Sequence, residues 1–121
     1  MKIGQATAVI AIIIDGQVWG ASVGDSGAWL ISSSGIVDLT QNQKRKPFLG
    51  SSNAVPIGFG PQVCENRLLL GSDGLFKYVA DERIRDLSSS LPLAHAAAAL
   101  VDSARLPSGA LQDDVAVIVA G

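Results

Sequence analysis

Apolar residues fall in short, nearly continuous runs through the first half of the chain and at helical spacing through the second. Gln5 to Ile14 is almost unbroken in apolarity and rich in β-branched side chains, the pattern of a strand covered on both faces. Asp15-Gly16 is a type I′ hairpin signal, which makes Gln17 to Val23 the returning strand. Gly24-Asp25-Ser26-Gly27 and Ser33 to Gly35 are further turns, flanking predicted strands at Ala28 to Ser32 and Ile36 to Thr40. The expectation is an antiparallel meander of four strands.

Gln41 to Asn53 breaks the pattern with polar, basic and turn-forming residues and predicts a long surface loop. A strand over Val55 to Val63 belongs at a sheet edge because it contains Pro56, Gly58, Gly60 and Pro61. Glu65-Asn66 turns it into Arg67 to Gly71. After Gly74 the period becomes helical: Leu75, Phe76 and Val79, then Ile84 and Leu87, with Asp81 placed to cap a new helix and Glu82 in its first turn. The Ser88-Ser89-Ser90 run should end that helix. Pro92 opens another, with Ala97, Leu100, Val101 and Ala104 as its apolar stripe and His95 on the solvent side. Pro107-Ser108-Gly109 closes it before a last strand at Val115 to Val119. Strands, then two helices, then one strand define an α+β fold with helices on a sheet face.

Length and composition narrow the function. A chain of 121 residues forms one unit, spanning 1–121. Hydrophobic residues make up 48% and charged ones 17%, a high apolar share for a domain with so much surface. Such a balance implies a deeply buried sheet or a face that packs on another body. The net charge of −2 gives no electrostatic basis for binding nucleic acid or an anionic membrane. The basic cluster Lys44-Arg45-Lys46 reads as a solvated loop, the alternative being a contact for an anionic substrate. Ala6 to Ile14 is too short to span a bilayer and lacks a cleavage site, so neither secretion nor insertion is expected. Cys64 is the single cysteine, which points to a reducing cytoplasm and an inert, buried thiol.

Two acidic turns stand out. Ser72-Asp73-Gly74 follows the apolar run Leu68-Leu69-Leu70-Gly71, and Gln112-Asp113-Asp114 precedes Val115-Ala116-Val117-Ile118-Val119. If those strands are neighbours with these ends aligned, Asp73 and Asp113 face one hard cation. Oxygen coordination of this kind suits Mg²⁺ or Mn²⁺. One His and one Cys in the whole chain leave no nitrogen or sulfur cage for zinc.

Taken with Gly24-Asp25-Ser26, these motifs follow one another in a familiar order. From about Thr7 to Ala120 the chain resembles the C-terminal half of the type 2C, metal-dependent Ser/Thr protein phosphatases, the bacterial members most of all. The resemblance implies a partial four-layer α-β-β-α sandwich of mostly antiparallel strands. It implies that Asp73 and Asp113 ligate one ion of a two-metal Mg²⁺ or Mn²⁺ centre, and that Asp25 belongs to a weaker third metal site shared with Asp73. Asp25 as a plain hairpin residue is the alternative, and Asp114 is expected behind the ligand or in solvent. In the complete family enzyme two ions activate a water that attacks the phosphorus of a phosphoserine or phosphothreonine in line, with no covalent phosphoenzyme.

Departures from the family pattern matter as much. Gly27 stands where the family's Gly-Asp-Ser is followed by arginine, and Gln41-Asn42 stands where an Asp-His pair is frequent. The family's N-terminal half, with its metal-bridging aspartate and phosphate-gripping arginine, has no counterpart. The expectation is weak binding of one ion, negligible phosphatase activity from this chain alone, and either homo-oligomerisation or completion by an N-terminal half. A phosphoprotein is the implied substrate of the completed site. A non-catalytic module that dimerises or binds a partner on a phosphatase scaffold is the alternative. A small metal- or ligand-binding α+β protein with coincidental turns is a third reading.

Overall fold

The computed structural model describes residues 7–32, 34–41, 55–64 and 66–121. The Lys44-Arg45-Lys46 cluster, Asn42 and most of the predicted loop lie outside them. Seven strands and three helices occur among the described residues. They run β1 (Ala8–Ile14), β2 (Gln17–Val23), β3 (Gly27–Ser32), β4 (Gly35–Asp38), β5 (Ile57–Val63), β6 (Arg67–Gly71), α1 (Asp73–Tyr78), α2 (Asp81–Ser90), α3 (Leu93–Ser103) and β7 (Val117–Ala120). The α+β class and the antiparallel pairing are as the sequence predicts.

The strands form two sheets, ordered β1-β2-β5 and β4-β3-β6-β7, with every pairing antiparallel. The expected meander is therefore divided. Asp15 and Gly16, at φ 51° and 74°, make the two-residue turn joining β1 to β2, with both φ values positive as a type I′ turn requires. The Gly24-Asp25-Ser26 segment is not a hairpin but the crossover from one sheet to the other. Asp25 is thereby carried to the rim between the sheets.

Alternation along β3 and β6 explains the layering. Leu30 and Leu68 point toward the first sheet and meet Val18 from β2. Trp29, Ile31 and Leu69 point the other way and pack under Leu75, Ile84 and Leu100 from the three helices. The second sheet is thus covered on both faces, and burying each such aliphatic side chain contributes roughly 1.5–3 kcal/mol. The first sheet is covered on one face only, so the chain supplies three of the four layers implied by the resemblance. On the bare face Ile10, Ile12 and Ile14 are 67%, 56% and 54% exposed. The expectation that this strand is covered on both faces is wrong for this chain.

Further differences concern ends. Val79 is extended (φ −120°, ψ 132°) and separates α1 from α2, so there are three helices where two were expected. Ala80 is the N-cap of α2, and Asp81 lies in its first turn. The serine run remains helical to Ser90 because Arg67 Nη1 donates to the Ser88 carbonyl (2.7 Å) and the Leu91 carbonyl at that end. In α3 the buried stripe is centred on Ala96 and Leu100, and His95 is exposed. Strand β5 keeps its place at an edge, with a register shift opposite Val18 to Gly20.

Candidate metal centre

The rim is built by extending the β6–β7 ladder past its last strand pair, Gly71 opposite Val117. The Ser72 N–H donates to the Ala116 carbonyl at 3.0 Å, and the Ala116 N–H donates to Ser72 Oγ at 3.0 Å. The Ser72 hydroxyl donates in turn to the Asp114 carbonyl at 3.3 Å. Three bonds on one serine therefore clamp the segment after β6 to the segment before β7. Gly74 completes the clamp, since a Cβ there would lie 2.4 Å from the Asp114 carbonyl oxygen. Only glycine permits that approach.

Each acidic side chain comes from a different part of the chain. Asp73 is the first residue of α1. Asp113 is brought back by the turn after α3, where the Leu106 N–H donates to the Ala110 carbonyl (2.8 Å) and Arg105 bonds Asp102 and the Gly109 carbonyl. Asp113 Oδ1 accepts the Asp114 N–H at 2.8 Å, which fixes the start of its own turn. Asp25 rides the crossover, whose Ser26 hydroxyl is buried and hydrogen-bonded to Thr7 Oγ1. Gly24, at φ 86°, provides the bend.

Burial raises the pKa of Asp73 above its ordinary value, and the charges of Asp25 and Asp113 raise it further. A hydrogen bond to Asp25 adds to the rise, while the Gly74 N–H opposes it. Asp25 and Asp113 thus lie near enough to Asp73 for their charges to act on it, an arrangement that a divalent cation would relieve. Asp114 is exposed and contributes its backbone rather than its carboxylate. The donors fit a hard ion, being all oxygen, but they form an open cluster. Among the described residues no group of three or more His, Cys, Asp or Glu is drawn together closely enough to hold an ion. The repulsion on Asp73 and the missing cage are compatible: Asp25 and Asp113 are near enough to act on Asp73, while the three carboxylates do not close into a shell as placed here.

Phe76 sets the position of α1 below the rim. Its ring sits over Gly27 and Gly71 and lies 4.5 Å from the Trp29 ring at 41°. Gly27, where the family resemblance expects arginine, is thus the floor for an aromatic ring rather than a loosened brace. Sequence reasoning identified the three aspartates but missed Ser72 and the Thr7–Ser26 link. Ser72 had a signal, a small hydroxyl residue between a strand and an Asp-Gly turn. Thr7–Ser26 had none, because nothing in the sequence sets the offset between the sheets. Cys64 is half-buried, and its burial raises the thiol pKa, which keeps it protonated and unreactive at neutral pH.

No protein-family model matches this chain, and no curated protein matches it by sequence. Solved structures do match. A bacterial serine phosphatase carrying an arginine substitution is 30% identical, with a TM-score of 0.80, over 94% of this chain and 52% of its own. The serine/threonine phosphatase PstP of Mycobacterium tuberculosis is 20% identical, with a TM-score of 0.74, over 95% of this chain and 59% of its own. The PstP catalytic domain in complex with two manganese ions matches at 21% identity and a TM-score of 0.70, over 90% of this chain and 55% of its own. The chain thus shares its fold with part of the bacterial Ser/Thr phosphatase domain. It spans a little over half the length of these relatives.

Proposed function

We propose that this chain carries one side of the metal centre of a phosphoserine/phosphothreonine phosphatase, with Asp73 and Asp113 as ligands of one Mg²⁺ or Mn²⁺ and Asp25 as a ligand of a weaker neighbouring site. The observation that carries the proposal is the Ser72 clamp, which holds the Asp73 and Asp113 turns side by side at the rim that Asp25 reaches on the crossover, in a fold shared with a manganese-bound phosphatase. When bound, such an ion polarises a phosphoryl oxygen and lowers the pKa of a coordinated water. The chain's own part is to hold carboxylates at a fixed rim, through the Ser72 clamp and the Gly74 approach. Two or three carboxylates with water in the remaining positions bind such ions weakly. We expect one weak site and negligible phosphate release from a phosphopeptide by the chain alone.

A Mn²⁺ titration of wild type against Asp73→Ala and Asp113→Ala tests the assignment. Saturable binding in the wild type, lost in both variants, is expected; equal binding in all three overturns it. Vigorous metal-dependent phosphate release by the purified chain would refute the expected inactivity. A phosphoprotein is the substrate class of the completed site, and a cytoplasmic setting, expected from the single cysteine, belongs to the same reading. Among the described residues no helix is long and apolar enough to cross a membrane.

The second reading is a non-catalytic module on a phosphatase scaffold that dimerises or binds a partner. The exposed isoleucines of β1 and the 62% exposed Ile118 of β7 favour it. Ile118 also lines an open cleft of about 360 Å³, opposite Ala8 and Val9 of β1, with Ser26 and Ser72 at one end. Either a second copy or a polypeptide supplying the rest of the domain is the partner class.

A further inference from the structure

We infer that Thr40 is a positioning residue for Asp25: its hydroxyl, oriented by Asp38, holds the start of β3 and so sets the approach of Asp25 to Asp73 at the weaker metal site. The inference rests on the assignment of Asp25 to that site and adds residues outside the acidic turns.

One pair of strands decides the spacing of the two carboxylates. Strands β3 and β6 are antiparallel, and Gly27 opposite Gly71 is their last pair at this end. Asp25 lies two residues before Gly27, and Asp73 two residues after Gly71, so the chain leaves the same rung toward both. A shift of the start of β3 against β6 therefore shifts Asp25 against Asp73. The Ser72 clamp fixes the Asp73 side. On the other side, Asp25 is the one residue from Ser22 to Ile31 that is not buried, and its place depends on how its neighbours are held.

Thr40 holds them from β4. The Leu39 N–H donates to the Ala28 carbonyl at 2.9 Å, and a continued antiparallel ladder would return the Ala28 N–H to the Leu39 carbonyl. Instead the Ala28 N–H donates to Thr40 Oγ1 at 3.1 Å. Asp38 makes this exchange of acceptors possible. Its Oδ1 accepts both the Thr40 N–H and the Thr40 hydroxyl at 2.9 Å, which turns the chain out of the ladder and brings the side chain in. A carboxylate only accepts, so it takes the hydroxyl hydrogen and leaves the oxygen lone pairs to the Ala28 N–H. Ala28 is fully buried and Thr40 is 5% exposed, so no solvent stands ready to replace the bond. The crossover's other tie, Ser26 to Thr7, is only partly buried and is the weaker anchor.

The test is a Mn²⁺ titration followed by the electron paramagnetic resonance of the free ion, on wild type, Asp25→Ala, Thr40→Val, Thr40→Ser and Arg67→Met. Asp25→Ala should abolish the weaker binding step. Thr40→Val keeps the shape and removes the acceptor. It should weaken that step by about 3- to 10-fold, below the ~10–100-fold typical of groups bonded directly to a metal ligand, and leave the tighter step unchanged. Thr40→Ser should restore wild-type binding, and Arg67→Met, which loosens the far end of α2, should not alter either step. Hydrogen exchange supplies a readout without metal: the Ala28 amide should exchange faster in Thr40→Val and regain protection in Thr40→Ser. Asp38→Ala leaves the Thr40 side chain in place and should move both readouts in the same direction as Thr40→Val, which keeps the test open if the valine variant does not fold. A weaker step lost in Asp25→Ala but untouched in Thr40→Val and Asp38→Ala overturns the inference alone. So does an equal loss in Arg67→Met, or a serine variant that fails to restore binding. A weaker step that is missing from the wild type, or that survives Asp25→Ala, removes Asp25 from the site and overturns the assignment together with the inference.

Discussion

Ser72 Oγ accepts the Ala116 N–H at 3.0 Å across 44 residues of chain and donates onward to the Asp114 carbonyl. This hydroxyl makes the two acidic turns one structural unit. Removing it in Ser72→Ala leaves the Ala116 N–H without that acceptor, at an expected cost of about 1 kcal/mol. For a chain of this size that corresponds to a melting temperature lower by ~3–6 °C. The same substitution should weaken Mn²⁺ binding several-fold, because the Asp113 turn loses its tether to Asp73. Thermal melting and a Mn²⁺ titration on the same variant check both effects. Weakened melting with unchanged affinity would separate the clamp from the site.

Asp73 gives a pH-dependent prediction. Burial and its two acidic neighbours raise the pKa of its carboxyl above the ordinary value. A group with a raised native pKa favours the folded state below the unfolded-state value, and that benefit is lost as pH rises through the native value. At neutral pH without metal the charged Asp73 therefore opposes folding slightly. Asp73→Asn should stabilise the metal-free chain there by about 0.5 kcal/mol, a small figure because the group is largely solvated. The advantage should vanish on acidification below the ordinary carboxylate range. Excess Mn²⁺ should reverse the order at neutral pH, since only the wild type gains from binding the ion. Melting curves at several pH values, with chelator and with Mn²⁺, test each limb.

The two acidic turns and the strand next to each were legible because both signals are local: an apolar run, then aspartate beside glycine or a second aspartate. The hairpin at Asp15-Gly16 was legible for the same reason. What the sequence hid was partnership. Nothing local distinguishes Gly24-Asp25-Ser26 as a hairpin from the same residues as a crossover, so the meander was expected whole and is divided between two sheets. Continuous apolarity in Ile10 to Ile14 looks the same whether a strand is covered by its own chain or left bare for another body. The serine run at Ser88 looked like a helix end because the arginine that satisfies that end lies 21 residues earlier.

Gly27 and Phe76 make a paired prediction. A Cβ at position 27 would lie 2.7 Å from the Phe76 ring, so Gly27→Ala forces the ring to move. Overpacking of this kind costs ~1–3 kcal/mol. Phe76→Leu vacates part of that space but sacrifices the contact with Trp29. The double variant Gly27→Ala/Phe76→Leu should therefore be less destabilised than the sum of the single variants, with coupling of about 0.5–3 kcal/mol. Strict additivity in denaturant unfolding would refute the packing argument and return Gly27 to the status of an ordinary turn glycine.

Arg67 joins β6 to the far end of α2, donating from one nitrogen to the Ser88 and Leu91 carbonyls. These are carbonyls at a helix end with no following turn to bond them, and Ser88 is fully buried. The side chain Ser88 Oγ has no partner of its own, so the arginine is the polar group that satisfies this corner. Arg67→Met keeps much of the apolar stem and removes the donors. It should cost about 1.5–3 kcal/mol, as expected for hydrogen bonds from a charged group. The loss should be local before it is global. Amides of α2 near Ser88 should exchange faster by hydrogen exchange while those of β3 and β6 keep their protection. Arg67→Lys, able to reach with a single point charge, should recover part of the protection. Uniform loss across the sheet and the helices together would mean that Arg67 supports the core rather than the end of α2.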